Sequence, residues 1–133
     1  MNILAFGAHP DDIEYGCGGM LAKYVLRGHA VYLFIASDGA LGGDSEVRRR
    51  EQKDAARILG VREVFWGDYR DTEVPLTREI IILLESVIRK IEPRMIFVNS
   101  PDDTHRTIAT WLRAQCRRRA TSRTFSSTRC RRR

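Results

Sequence analysis

Cysteine is scarce in this chain: three residues in 133, Cys17, Cys116 and Cys130, with no CxxC pair among them. An odd number of isolated thiols gives no disulfide framework, so a reducing, cytoplasmic setting is the simplest expectation. Long apolar runs are missing too. The longest aliphatic stretch, Ile80 to Leu84, falls far short of the roughly 20 residues that cross a bilayer. No secretory leader is expected, because the apolar start is brief and Asp11 and Asp12 follow it directly.

Acid is absent from one end of the chain. Residues 1–106 hold 14 Lys+Arg and all 17 Asp+Glu, a balance of −3, whereas residues 107–133 hold nine arginines and no acid, lysine, glycine or proline. The net charge of +6 therefore averages two compositions. We expect a folded domain over 1–106 and an Arg-rich, disordered tail over 107–133, which has no apolar period after Leu112. Nine arginines would adhere to nucleic acid through charge alone. Trp111 and Phe125 could stack on bases, but no fold pattern presents them, so no specific nucleic-acid partner is expected.

What is present in residues 1–106 alternates. Asn2–Gly7 is a short apolar run ending in glycine and reads as a buried strand. Met20, Leu21, Tyr24 and Val25 recur at helical spacing and stop at Gly28. Ala30–Ala36 is apolar throughout, as a strand covered on both faces should be. Ser45 is placed to cap a helix with Ala55, Ala56 and Leu59 inward and Gly60 at its end. Val61–Trp66 reads as a third strand. Ile80, Leu83, Leu84, Val87, Ile88 and Ile91 mark an amphipathic helix closed by Glu92-Pro93, and Met95–Val98 is a fourth strand. Strand–helix alternation of this kind predicts an α/β fold, a parallel sheet with helices on both faces. Ligands in such sheets bind beyond the carboxyl ends of the strands, where strand order reverses. Two reactive loops stand there, His9–Asp12 and Asp102–His105, and they face each other if the first and fourth strands are neighbours.

The first of these loops crowds an imidazole and two carboxylates into four residues. Gly16, Gly18 and Gly19 invite a dinucleotide reading, but Asp11 and Asp12 put the wrong charge at the turn where a pyrophosphate would sit. A divalent metal suits the turn better. His9 and Asp12 offer nitrogen and oxygen donors linked by the stiff Pro10, a mixture suited to zinc. Asp11 is placed as a general base beside them. The plainer alternative is that one aspartate caps the following helix, which leaves His9 and the second carboxylate unexplained.

AHPDD after the first strand, the RxxExxxAxxxLG pattern carried by Arg48, Glu51, Ala55, Leu59 and Gly60, and PDDTHR after the fourth strand together resemble the PIG-L/LmbE family of zinc-dependent deacetylases, many acting on N-acetylglucosamine conjugates. The resemblance covers residues 2–106. It implies a Rossmann-like, three-layer αβα fold with a mainly parallel sheet, LmbE-like but incomplete at its C-terminal part. It implies an enzyme that hydrolyses the amide of a small N-acetyl sugar conjugate, as a single chain or a homo-oligomer. By the resemblance, His9 and Asp12 are Zn2+ ligands, Asp11 is the general base, and His105 polarises the amide or protonates the leaving amine. Arg48 would reach the substrate's polar head, and Asp71 would hydrogen-bond sugar hydroxyls.

The pattern then breaks. The family places its third metal ligand three residues after the loop histidine, in HxDH, where this chain reads His105-Arg106-Thr107-Ile108. An acid common in the family after the second strand is also replaced, in Ser37-Asp38-Gly39-Ala40. The codons for Thr107 to Trp111, regrouped one base earlier behind a guanine, permit Asp-His-Arg-His-Leu, which restores HRDH. A lost base near codon 106 in a GC-rich gene would account for both the missing ligand and the acid-free tail. DNA sequence across codons 105–108 with no lost base would refute it. Two ligands hold zinc poorly, so the expectation for the chain as written is an impaired deacetylase. The alternative is a non-catalytic Rossmann-like remnant that binds ligand or nucleic acid through its basic tail.

Overall fold

The computed structural model describes residues 1–71, 73 and 77–98. Strand β1 (Asn2–Gly7) is followed by helix α1 (Asp12–Leu26), strand β2 (Ala30–Ser37) and helix α2 (Ser45–Leu59). Strand β3 (Glu63–Tyr69), helix α3 (Arg78–Ile91) and strand β4 (Met95–Phe97) complete the order. The four strands form one sheet in the order β3-β2-β1-β4, and every neighbouring pair is parallel. The chain order therefore reverses at β1, which lies between β2 and β4.

Alternation along the strands divides the core into two layers. Ile3 and Ala5 pair in register with Val31 and Leu33, and Leu4 and Phe6 with Tyr32 and Phe34. The first set packs with Ile13 and Leu21 of α1, Ala56 of α2 and Phe97 of β4. The second packs with Ile80, Leu84, Val87 and Ile91 of α3. Helices α1 and α2 thus cover one face and α3 the other, the expected three-layer α/β arrangement. Among the described residues, no helix is long and apolar enough to cross a membrane.

The element ends follow local chemistry, with some shifts from expectation. Gly28 and Gly60 adopt left-handed φ of 78° and 75° and end their helices as expected. The N-cap of α2 is Asp44, whose Oδ1 accepts from the Val47 amide at 3.0 Å; Ser45, the expected cap, is the first helical residue. Met20, expected inward, is 43% exposed, because the buried stripe of α1 runs through Ile13, Gly18 and Leu21. Strand β3 begins two residues later than the apolar run suggested and continues to Tyr69. The extension contains an irregularity opposite Ile35 to Ser37. Gly67 allows it, since a Cβ there would meet the Ala36 carbonyl oxygen at 2.5 Å. The irregularity re-aims the chain leaving β3, which carries Asp71 into the region beyond β1.

Candidate functional site at the carboxyl end of β1

The turn that leaves β1 is held from its own side and from α2. Asp12 Oδ2 reaches back to accept from the amides of Ala8 and His9, both at 3.0 Å. Asp11 sits at φ 80°, a left-handed conformation that costs a non-glycine residue about 1–2 kcal/mol. Its side chain makes no capping bond, so it is not a conventional helix cap. Its amide instead donates to Gln52 Oε1 at 2.8 Å. Gln52, only 3% exposed, also donates from Nε2 to Glu14 Oε1 at 2.6 Å.

One turn earlier on the same face of α2 stands Arg48. Its Nη1 donates to the Gly39 carbonyl, and its Nη2 to the Pro10 carbonyl, each at 2.9 Å. The same Nη2 lies 3.3 Å from Asp11 Oδ2, and the guanidinium side chain is 17% exposed. Gly42 lets the arginine pass, because a Cβ at that position would collide with the guanidinium. Arg48 and Gln52, four residues apart and hence on one helical face, together grip Pro10 and Asp11. The Asp11 carboxylate itself remains 61% exposed, open to a ligand from solvent.

His9 is oriented by two carboxylates. Its Nε2 lies 2.5 Å from Asp71 Oδ1, and its Nδ1 lies 3.6 Å from Asp12 Oδ2. The bond to Asp12 raises the His9 pKa above its ordinary value, and Asp71 adds to the rise against the opposing effect of burial. For Asp12, burial alone would push the carboxyl upward; the His9 side chain, with the His9 and Ala8 amides, outweighs it and holds the pKa low. Asp71 is anchored as well. Its amide donates to Asp38 Oδ1 at 3.0 Å, and its Oδ2 accepts from the Leu41 amide at 3.3 Å.

The site residues expected from sequence thus converge in part. His9, Asp11, Asp12, Arg48 and Asp71 all meet around one turn, supplied by the ends of β1 and β3 and by α2. His105, with the rest of its loop and the tail 107–133, lies outside the described residues. Among the described residues, no three metal-type side chains gather closely enough to hold an ion. The donor set nonetheless suits a zinc-like cation in part. His9 Nδ1 and Asp12 Oδ2 are a nitrogen and oxygen pair of the kind zinc takes; the far ring nitrogen of His9 is held by Asp71, while the same Asp12 Oδ2 also accepts from the Ala8 and His9 amides.

Comparison with known proteins adds to this geometry. The PIG-L family profile, described as GlcNAc-PI de-N-acetylase, matches residues 4–114. The chain belongs to the PIG-L family. A diacetylchitobiose deacetylase of Thermococcus kodakarensis is 36% identical over 108 residues, 74% of this chain and 40% of that protein. An uncharacterized deacetylase of Escherichia coli, YaiS, is 37% identical over 93 residues, 68% of this chain and 50% of that protein. The N,N'-diacetylchitobiose deacetylase of Pyrococcus horikoshii, solved with its inhibitor MPG, superposes with a TM-score of 0.77 at 31% identity. That superposition covers 85% of this chain and 48% of the other. The chain therefore spans about half the length of the curated relatives it matches.

In this PIG-L chain, the sequence pattern picked out Glu51, yet Glu51 is exposed and its neighbour Gln52 is the buried residue that touches the turn. A glutamine inside a charged run carries no local mark of burial. The signal that could have found it is its spacing, four residues after Arg48. Asp38 was likewise missed as a support for Asp71, although its place at a strand's carboxyl end is where such residues act.

Proposed function

We propose that this chain carries the metal-binding and general-base portion of a zinc-dependent amide hydrolase, one that removes an acetyl group from an N-acetylated amino sugar or its conjugate. A single observation carries the reading: His9, Asp11 and Asp12 crowd the carboxyl end of β1, with imidazole Nδ1 and carboxylate Oδ2 3.6 Å apart, in a chain of a family described by de-N-acetylation. His9 and Asp12 would hold the cation, which when bound supplies Lewis acidity to an acyl carbonyl and to water. Asp11 takes the proton of the attacking water, its carboxylate exposed to solvent and directed by Arg48. His105 gives a proton to the departing amine. Arg48 spends its donors on Pro10, Gly39 and Asp11, so its service to a substrate runs chiefly through the placement of Asp11.

His105-Arg106-Thr107-Ile108 lacks the third ligand that the family resemblance implies, and we propose that hydrolysis by this chain is correspondingly impaired. Zinc titration of the full chain tests the reading. Weak binding that approaches one zinc per chain only in excess metal, with slow deacetylation of an N-acetylglucosamine conjugate that Asp11→Ala abolishes, is the expected result. No zinc bound even in excess metal, or deacetylation indifferent to Asp11→Ala, overturns it in favour of a non-catalytic remnant.

A further inference from the structure

We infer that Gln52 is a positioning residue inserted into the cap of α1: its amide stands between the Asp11 N–H and Glu14, and so keeps the Asp11 carboxylate off its own helix. The inference rests on the reading of Asp11 as the general base.

A helix that opens on aspartate and carries glutamate three residues later ordinarily closes on itself. The aspartate side chain accepts from an amide of the first turn, and the glutamate reaches back to the N–H of the capping residue. Asp11 and Glu14 have that spacing, and the Asp11 carbonyl accepts the first helical bond, from the Tyr15 amide at 3.0 Å. Yet the reciprocal bonds are replaced. The Asp11 side chain makes no capping bond, and its amide donates to Gln52 of α2.

The glutamine fits one way round. A backbone N–H donates and cannot accept, so Gln52 turns Oε1 toward Asp11, 2.8 Å away. Its Nε2 then meets Glu14 Oε1 at 2.6 Å. At 3% exposed, Gln52 has little water to replace either bond. Glu14 Oε2 is buried with no hydrogen-bond partner among the described residues, which leaves the bond from Gln52 to anchor this carboxylate. α1 is thereby tied to α2 at the point where it would ordinarily be tied to itself. Asp11 is held at φ 80°, where an ordinary cap takes an extended φ. Its carboxylate is left to solvent and to Arg48 Nη2, 3.3 Å from Oδ2. With the glutamine shortened, the ordinary reciprocal cap becomes the competing arrangement. In it the Asp11 carboxylate accepts from its own helix and is withdrawn from the site.

Proton NMR of the zinc-free full chain reads this turn without reference to activity. Positive φ brings a residue's amide and α protons unusually close, so native Asp11 should give a strong intraresidue contact between them. Gln52→Ala makes room for Glu14: the contact should weaken while the Asp11 amide stays protected from exchange. Gln52→Leu, which fills the space, should instead expose that amide. Glu14→Gln keeps an acceptor for Gln52 Nε2 and should leave the contact strong. Deacetylation by Gln52→Ala should fall about 10²-fold in kcat with little change in KM. A merely structural role would lower stability and leave the Asp11 contact as it is. A weak contact in the native chain overturns the inference before any variant is made. A contact that stays strong in Gln52→Ala overturns it and leaves the deacetylase reading standing. If the contact weakens while deacetylation is unchanged, the positioning role stands and Asp11 is not the base.

Discussion

Helices α2 and α3 flank the same sheet from opposite sides, yet they bury different chemistry. The inward face of α3 is hydrocarbon: Ile80, Leu84, Val87 and Ile91, one residue per turn, packed on Leu4, Phe6 and Phe34. The inward face of α2 buries only Gln52 and Ala56, with Arg48 beside them, and what it grips is a backbone turn. Both helices are amphipathic in sequence, but only one is held chiefly by burial of apolar surface. The contrast teaches a division of labour. α3 supplies cohesion to a sheet whose far end carries the proposed site. α2 gives up apolar burial so that its polar side chains can fix Asp11 in a conformation it would not otherwise hold.

The comparison breaks first on its apolar side. Leu84 is 1% exposed, and Leu84→Ala should cost about 2–5 kcal/mol through lost transfer energy and the cavity left behind. Urea unfolding should report that loss, while the zinc affinity of the still-folded fraction should not change. If zinc affinity fell in parallel, α3 would be part of the site's support and the division of labour would be wrong.

On the polar side, Gln52→Leu preserves approximate volume and removes both hydrogen bonds. The Asp11 amide and Glu14 Oε1 would lose their partner, at about 1–3 kcal/mol for buried groups left unmade. The expected loss is smaller than for Leu84→Ala, but its location differs. Amide hydrogen exchange of Asp11 should speed up out of proportion to the global change, because the left-handed turn loses its outer clamp. Exchange that rises evenly across the molecule would mean that Gln52 is an ordinary core residue.

The two faces also differ in how far they could be read in advance. β1, β2 and α3 were legible because burial writes itself into sequence as apolar runs or as a stripe with helical period. The crowding of His9, Asp11 and Asp12 was equally legible, since charges that close need an explanation wherever the chain goes. Gln52 was not, because the run around it defaults to a solvated helix face, and only the position of α2 beside the β1 turn turns it inward. The partnership of His9 with Asp71 joins residues 62 apart. Topology brings them together through the parallel order of β1, β2 and β3 and the irregularity at Gly67; no local pattern marks it.

The smallest effect concerns pH, and it sharpens the same comparison. The α3 face buries no titrating group among its described core residues, so the cost of Leu84→Ala should be the same at pH 5.5 and pH 8. The site face differs. His9 has a folded pKa above its ordinary 6.5, so its bonds to Asp12 and Asp71 contribute fully below 6.5 and are lost as pH rises through the folded value. Asp12 has a folded pKa below its ordinary 3.8, so its contribution is complete above 3.8 and lost as pH falls through the lower folded value. The zinc-free chain should therefore owe most to this pair between those two ordinary values, and lose part of that contribution toward pH 8. Both side chains are partly exposed, which screens their interaction and keeps the change modest. Unfolding in the presence of a chelator should show native protein weakening between pH 5.5 and pH 8 more than His9→Asn does, since the variant has no proton to lose there. Zinc should act in the opposite direction. It competes with the proton for His9, so its own stabilisation should grow over the interval in which the metal-free ion pair fades. Parallel pH profiles for native protein and His9→Asn, with and without zinc, would place the energetics of the β1 turn elsewhere.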